Sequence, residues 1–230
     1  MVQTPGNSSQ TSMRAVLVDD DTSIRDLLRI IIVEKLGHEI VGEARTATQA
    51  IEVVSRTNPD YVTLDLRLPD RSGFGVVSEC ARRMPKPPMF LTFSGYCDAC
   101  TTFYADRLHV NGYVHKGSCS MNVILDAIRA VTSGSAYYCE QFENEKRARL
   151  MDPLSFDKVL GNRERDVVVM VGKLCDDSEI AERLGITVST VERHRGNILT
   201  KLEVPTRVGL QRYAVEHGLI FGEQELEPWQ

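Results

Sequence analysis

The sequence predicts an α/β fold, a doubly wound parallel sheet, followed by a smaller all-helical domain. Three observations predict it. Short apolar runs alternate with amphipathic stretches from residue 13 onward, the strand signal stops after Gly134, and helical patterns follow one another from Leu160. Strands that alternate with helices indicate βα units around a parallel sheet. The chain of 230 residues is long enough for two domains that each bury a core.

Five βα units are predicted in the first domain, residues 13–134. The apolar runs that indicate strands are residues 15–18, 39–44, 61–64, 89–93 and 112–114, and the helical spacings cover residues 23–36, 48–56, 75–84, 99–108 and 121–133. We therefore expect a five-stranded parallel sheet with helices on both faces. Ligands of such folds bind beyond the carboxyl ends of the strands.

A four-helix unit is predicted over residues 159–222, after a linker at 135–158 with charges of both signs. Its helices are expected at about residues 163–173, 177–184, 188–202 and 207–217. Gly185 is placed to end the second helix, and Thr187 is placed to cap the third. A tight turn between these two helices indicates a helix-turn-helix.

Composition and charge exclude several classes of protein. A chain that is 42% hydrophobic and 26% charged is neither collagen-like nor wholly disordered. No apolar run approaches the roughly 20 residues that span a bilayer, so we expect a soluble protein without membrane association.

Residues 1–12 lack the features of a secretory signal, so we expect a disordered polar leader and a cytoplasmic location with reduced cysteines. The net charge of −5 argues against non-specific coating of nucleic acid, although basic residues outnumber acidic ones between residues 189 and 212.

Acidic residues follow two strands that are neighbours in the predicted sheet. Asp19, Asp20 and Asp21 follow the first strand, and Asp65 follows the third. Carboxylates that lie close together repel one another unless a cation holds them. Mg²⁺ suits such oxygens, together with water and a phosphate. The alternative is that these residues only cap the helices that follow.

A hydroxyl and an ammonium group are expected at the same edge. Ser94 ends the fourth strand region and Lys116 follows the fifth. Thr92 is an alternative to Ser94, but the distance from Asp65 and the following Gly95 favour Ser94. These are the groups needed to phosphorylate a carboxylate. Asp65 would be the nucleophile, Mg²⁺ would offset charge, and Lys116 and Ser94 would contact the phosphoryl oxygens.

The segments VLVDDD, LDLRLPDRSG, FSG and GYVHK resemble the receiver domain of bacterial two-component response regulators, a flavodoxin-like fold. The resemblance implies that Asp65 accepts a phosphoryl group from a sensor histidine kinase. It also implies that Asp20 binds Mg²⁺ directly, that Asp19 assists through water, and that the backbone carbonyl of Arg67 completes the metal site.

The same resemblance implies a switch pair. The hydroxyl of Ser94 moves toward the phosphoryl group, and the ring of Tyr113 turns inward. The fourth predicted helix, in the stretch CDACTTFYADRLH, is unusually rich in cysteine and aromatic residues for this family.

The segments SEIAERLGITVSTVERHRGNILTKLEV and TRVGLQRYAVEHGLI resemble a LuxR-type helix-turn-helix. With the receiver, they indicate the NarL/FixJ-type class of response regulators, which implies transcription control by a homodimer on promoter half-sites. The candidate DNA-binding residues are Ser189, Thr190, Glu192, Arg193, His194, Arg195, Asn197 and Lys201. Arg193 occupies a base-reading position, and Thr190 and Lys201 are phosphate candidates. The alternative is that these charges are solvated helix residues.

The last predicted helix is the family's dimerisation element. Its candidate residues are Val208, Arg212, Tyr213 and Val215. The alternative is that its apolar residues only close the core of their own domain.

Two rival functions remain open at this point. The first is a DNA-binding regulator whose receiver senses redox state or a metal through Cys97, Cys100 and Cys119, since the first two form a CxxC and the third lies with His115 near the same sheet edge. A lone CxxC is weak evidence for a metal site. The second is an aspartate-nucleophile phosphatase. The helical half supplies no catalytic residues, so we expect that the protein is not an enzyme.

Overall fold

A six-stranded parallel sheet forms the centre of the first domain. The computed structural model describes residues 12–222, so the predicted polar leader, apart from Ser12, lies outside the described residues. The strands are β1 (Arg14–Val18), β2 (Glu39–Ala44), β3 (Tyr61–Asp65), β4 (Met89–Ser94), β5 (Gly112–His115) and β6 (Tyr137–Tyr138), in the order β2-β1-β3-β4-β5-β6. Because β1 lies between β2 and β3, the strand order reverses there, and a crevice opens at the carboxyl ends of β1 and β3.

Helices cover both faces of this sheet. They are α1 (Thr22–Arg29) with a π-helical continuation (Ile30–Lys35), α2 (Ala47–Thr57), α3 (Gly73–Arg83), α4 (Ala99–Arg107) and α5 (Met121–Thr132), with a short 3₁₀ helix (Lys116–Ser118) before α5. Successive residues of β1 point to opposite faces, as a strand requires. Val16 and Val18 enter one apolar cluster, while Ala15 and Leu17 enter the other. The predicted doubly wound fold is confirmed.

The sheet has one strand more than the five we predicted. Tyr137 pairs with Gly112, and Tyr138 pairs with Tyr113. Helix α6 (Glu140–Met151) follows and packs against α4, and α7 (Phe156–Val159) comes next. Much of the predicted linker is therefore regular structure. Its signal in the sequence is weak because a two-residue strand shows no alternation and α6 carries few apolar residues.

The second domain is built from helices alone. These are α8 (Asn162–Gly172), α9 (Asp177–Leu184), α10 (Val188–Lys201), α11 (Arg207–Glu216) and the short α12 (Leu219–Gly222). Gly185 ends α9 at a φ of 63°, in the left-handed region that favours glycine. The Thr187 hydroxyl accepts a hydrogen bond from the Thr190 backbone N–H and caps α10. Both predicted caps are confirmed. Over residues 12–222, no helix combines the length and apolar character needed to cross a membrane.

The two domains are packed against each other through α4. The backbone N–H of Cys100 donates to the carbonyl of His217, at 3.1 Å. Gly218 lies so close to Asp98 that a Cβ atom there would overlap the carboxylate. One apolar cluster runs from the receiver into the helical domain. The contact with α4 uses the end of α11 and the start of α12, and the Arg165 guanidinium of α8 also lies over the Phe103 ring, at 5.6 Å.

Candidate functional site

Three carboxylates converge where β1 and β3 end. Asp19, Asp20 and Asp65 each place an oxygen within 4.8 Å of the other two. Asp19 and Asp65 are buried, whereas Asp20 is exposed, so the cluster is open to solvent on one side. The structure thus brings together three of the four carboxylates that follow these strands, whereas Asp21 caps α1 by accepting a hydrogen bond from the Ser23 backbone N–H.

Lys116 joins two of these carboxylates. Its Nζ lies 2.6 Å from Oδ2 of Asp65 and 2.8 Å from Oδ2 of Asp19. Burial raises the pKa of Asp19, and repulsion from Asp65 adds to this, although the hydrogen bond from Lys116 acts in the opposite direction. Burial alone would lower the pKa of Lys116, but its bonds to the two carboxylates raise it above its usual value, so the ammonium is charged at neutral pH.

The donor set fits a hard divalent cation. With Asp19, Asp20 and Asp65 ionised, one ammonium leaves two negative charges, which is the charge that a divalent ion neutralises. Carboxylate oxygens with an open side for water are the usual environment of Mg²⁺. The Arg67 backbone N–H donates to Oδ1 of Asp65, at 3.0 Å, which holds the loop beside the site. The metal-binding role of the Arg67 carbonyl stays a prediction.

The hydroxyl groups of β4 are placed differently. Thr92 is fully buried, and its Oγ1 donates to the carbonyl of Gly112, at 2.9 Å, within the sheet. Ser94 lies at the carboxyl end of the strand, where its Oγ accepts the backbone N–H of Tyr96 at 3.3 Å. The Tyr113 hydroxyl donates to the Tyr96 carbonyl at 2.5 Å. The geometry favours Ser94 over Thr92. Both members of the predicted switch pair, Ser94 and Tyr113, form hydrogen bonds with the backbone of Tyr96.

Two residues, Asp70 and Gly73, hold the loop after β3 in its conformation. Asp70 accepts hydrogen bonds from the backbone N–H groups of Ala47 and Thr48, at 2.8 and 2.9 Å, so it caps α2. Although burial acts in the opposite direction, these bonds lower the pKa of Asp70 to about 2. A Cβ atom at Gly73 would overlap the backbone carbonyl of Asp65, so only glycine lets the chain pass this close to the acceptor.

Sequence reasoning missed Arg25, which lies beneath the acidic cluster. This side chain is 3% exposed, and its Nη1 donates to the carbonyls of Asp19 at 2.7 Å and Asp20 at 3.2 Å. An arginine on an amphipathic helix is usually a solvated residue. Nothing in the sequence distinguished this one from Arg29.

Helix α6 covers the part of the sheet that carries Tyr113. The ring of Phe142 lies 5.0 Å from the Tyr113 ring and stacks on Tyr138 at 4.7 Å. The other end of α6 is held by Arg149. That side chain donates to Thr102 and is paired with Asp106 and Asp157, at distances of 2.9, 2.7 and 2.5 Å.

The candidate DNA-binding residues of α10 divide into two groups. Ser189, Glu192, Arg193 and Asn197 are exposed, and Thr190 and His194 are partly buried. By contrast, Arg195 pairs with Asp177 at 2.7 Å, and Lys201 pairs with Glu164 at 2.6 Å. These two ion pairs link α10 to α9 and α8, which the sequence did not indicate, and the DNA-binding role of Arg195 and Lys201 stays a prediction.

Asp177 is shared by two arginines. Its carboxylate binds Arg195 and also Arg207, the latter at 2.5 Å. Burial alone would raise the pKa of Asp177, but the hydrogen bonds from Arg207 and Arg195 outweigh it and lower the pKa. The start of α9 is thereby tied to α10 and α11.

Most of the candidate dimerisation residues lie on one open face of α11. Val208 and Val215 are 65% and 50% exposed, and Arg212 is also exposed. Their spacing of four and three residues places them on the same side of the helix. Tyr213 is different, because its ring packs on His217 at 4.1 Å.

The cysteines offer no support for a metal or redox site. Within the described part of the chain, Cys97, Cys100 and Cys119 do not form a group that could share an ion, and all six cysteines are free. Burial raises the pKa of the Cys97 thiol to about 12. A reactive thiol needs a lowered pKa, so the environment opposes this role.

Comparisons with known proteins agree with the fold of both domains. A family model for the response regulator receiver domain matches residues 15–129, and a model for bacterial regulatory proteins of the luxR family matches residues 158–214. The chain therefore belongs to the two-component response regulators that join a receiver domain to a LuxR-type helix-turn-helix DNA-binding domain.

Individual relatives match nearly the whole of this chain. The transcriptional regulatory protein MctR of Rhizobium johnstonii is 28% identical over 219 residues, which cover 93% of this chain and 98% of that protein. The response regulator VraR of Staphylococcus aureus is 26% identical over 209 residues, which cover 91% and 99%. A structure of RcsB from Salmonella enterica serovar Typhimurium bound to a promoter, with the phosphomimetic BeF₃⁻, has a TM-score of 0.64 at 18% identity and covers 90% of this chain and all of RcsB. At 18% identity, the similarity to RcsB is evidence for the fold alone.

Proposed function

We propose that this response regulator is switched by transfer of a phosphoryl group from a sensor histidine kinase to Asp65. The reaction is Mg²⁺-dependent, and it changes dimerisation and sequence-specific DNA binding, which in turn control transcription. The observation that carries the proposal is the position of the Asp65 carboxylate. It lies beside the Lys116 ammonium, which also pairs with Asp19, and one of its oxygens is within 4.8 Å of oxygens of Asp19 and Asp20, in a crevice that is open at Asp20.

The chemistry is a displacement at phosphorus. A carboxylate oxygen of Asp65 forms a bond to phosphorus, and the bond from phosphorus to the donor's histidine nitrogen breaks, which leaves the electron pair on the imidazole and an acyl phosphate on the regulator. Asp19, Asp20 and Asp65 would hold Mg²⁺, which would supply positive charge to the phosphoryl oxygens. Lys116 contacts the acceptor, and it would stabilise the same oxygens together with Ser94, which ends the neighbouring strand β4.

The DNA-binding part of the proposal depends on α10. Arg193 is exposed among small polar groups, and arginine in the major groove donates two hydrogen bonds to guanine. One RcsB structure is described as two dimers bound to two parallel DNAs, which supports a dimer on DNA here. The open face at Val208, Arg212 and Val215 is the proposed dimer surface. Two tethered modules bind repeated half-sites more tightly than one.

Mass spectrometry of the intact chain tests the acceptor. The protein is incubated with acetyl phosphate, with and without Mg²⁺, and the modified peptide is then located. We expect one phosphoryl group, on Asp65, that requires Mg²⁺ and is lost in Asp65→Asn. Asp126→Asn, at an exposed carboxylate on α5, is the matched control and should be modified normally. Modification elsewhere, or none, contradicts the proposal.

A separate assay addresses catalysis. We propose that the protein accepts a phosphoryl group and does not turn over a substrate of its own, so a small phosphomonoester should remain intact. Steady hydrolysis that depends on Asp65 would show a phosphatase instead.

A further inference from the structure

Arg25 is buried directly below the acidic cluster, in contact with the backbone of two proposed metal ligands. Its Nη1 donates to the carbonyls of Asp19 and Asp20, its Nη2 donates to Thr22 Oγ1 at 3.1 Å, and its Nε lies 3.4 Å from a carboxylate oxygen of Glu43. Burying a guanidinium costs free energy unless each donor finds a partner. These partners fix the loop that carries both aspartates.

Arg25 contacts the backbone carbonyls of Asp19 and Asp20 and not their carboxylates. The loop also contains Asp21, whose backbone N–H donates to Oδ1 of Asp19 at 3.0 Å and whose side chain caps α1. Arg25 lies on α1, so it ties the carboxyl end of β1 to the helix that follows. The hydrogen bonds donated by the Arg25 guanidinium therefore set the direction in which Asp19 and Asp20 project.

Resting on the function proposed above, we propose that Arg25 is a positioning residue for the metal site. It holds the loop at residues 19–20 so that both carboxylates face Asp65, and it thereby sets the affinity for Mg²⁺. Groups that orient metal ligands from outside the coordination sphere contribute about ten- to hundredfold to metal affinity in other proteins.

The charge of Arg25 would have the opposite effect. A cation near the site repels Mg²⁺, so its removal would tighten binding if charge dominated. That charge is compensated, because Glu43 pairs with Arg25 and also with Arg29, at 2.6 Å, and Arg29 in turn pairs with Asp26. We therefore expect the hydrogen bonds to outweigh the charge. A variant that keeps the charge of Arg25 and loses its hydrogen-bond geometry therefore isolates the effect of the hydrogen bonds.

The test is a Mg²⁺ titration of the full chain. Affinity is measured by calorimetry and by the rise in melting temperature with Mg²⁺ concentration, and phosphorylation by acetyl phosphate is followed over the same concentrations. Arg25→Lys keeps the charge but loses the planar fork. We expect it to weaken Mg²⁺ binding about tenfold or more. The phosphorylation rate should approach that of the wild type at saturating Mg²⁺.

Arg29→Ala is the matched control. Arg29 lies on the same helix and shares the partner Glu43, but the acidic loop is not among its hydrogen-bond or ion-pair contacts. Its Mg²⁺ affinity should equal that of the wild type. If Arg25→Lys does not fold, Thr22→Val removes one acceptor of the fork and should weaken Mg²⁺ binding by a smaller factor.

The possible failures are distinguishable. Unchanged or tighter Mg²⁺ binding in Arg25→Lys, or in Thr22→Val where the lysine variant does not fold, overturns the role of Arg25 and leaves the function intact. A wild-type protein that neither binds Mg²⁺ nor becomes phosphorylated overturns the proposed function itself.

Discussion

The ring of Phe142, on α6, packs against the ring of Tyr113, on β5, with 5.0 Å between their centroids. Both side chains are fully buried. Phe142 lies outside the receiver family match, which ends at residue 129. A helix beyond the matched domain therefore covers the tyrosine of the proposed switch pair.

Phe142→Ala should destabilise the fold by about 3–5 kcal/mol, because it leaves a cavity between Tyr113 and Tyr138. The free energy of unfolding in urea measures this. Leu150→Ala, on the same helix but 52% exposed, is the control and should change stability by less than about 1 kcal/mol. Equal losses in the two variants would show that α6 is not docked as described.

Lys116→Met should destabilise the metal-free protein by about 3 kcal/mol, because it removes the cation between Asp19 and Asp65 and leaves their charges uncompensated. Added Mg²⁺ should recover more stability in this variant than in the wild type. The measurement is urea unfolding with and without Mg²⁺. Lys86→Met, at an exposed loop position, should show neither effect. A variant as stable as the wild type would contradict the described charge balance.

Stability should fall as the pH drops through about 6.5, because burial lowers the pKa of His217 and folding then disfavours its protonation. Asp152, Glu216 and Asp98 oppose this effect but do not cancel it. The stabilisation is thus complete above the unfolded pKa and is lost below it. Melting temperatures across this range measure the effect.

His217→Gln should flatten that pH profile. It should not abolish the slope, since burial also lowers the pKa of His38. His109→Asn, at an exposed position, should leave the profile unchanged. A His217→Gln profile identical to that of the wild type would show that His217 titrates as it does in the unfolded chain.

Two arginines of α10 should respond differently to alanine. Arg193→Ala should weaken binding to a duplex selected by the wild-type protein by about 1–3 kcal/mol, without a change in stability. Arg195→Ala breaks the pair with Asp177, so it should lower the free energy of unfolding by about 1 kcal/mol. Fluorescence anisotropy and urea unfolding measure the two quantities. Loss of stability in Arg193→Ala would contradict its exposed placement.

The acidic cluster could be predicted from the sequence, because its position depends only on the order of the strands and on the residues that follow them. Asp65 and Lys116 are 51 positions apart in sequence, yet parallel strands deliver both to one edge. The same local reasoning predicted Gly185 and Thr187, since helix caps depend on neighbouring residues alone.

Other features depend on contacts that the sequence does not encode locally. Strand β6 is formed by pairing with β5, and α6 is held by the buried Phe142 ring, the buried Arg149 guanidinium and the ion pair between Lys146 and Asp106. Arg25 and Arg29 look alike in the sequence, and only the packing of α1 buries the first. Arg195 and Lys201 fit a DNA-binding pattern, and nothing in the sequence indicated their ion pairs with Asp177 and Glu164, which are distant in sequence.

The most direct test of the account compares DNA affinity and oligomeric state of the full chain with and without BeF₃⁻ and Mg²⁺. We expect a larger dimer fraction and tighter DNA binding in the wild type, and no change in Asp65→Asn. If BeF₃⁻ occupies Asp65 and neither quantity changes, the proposal that phosphorylation of Asp65 switches this regulator is wrong.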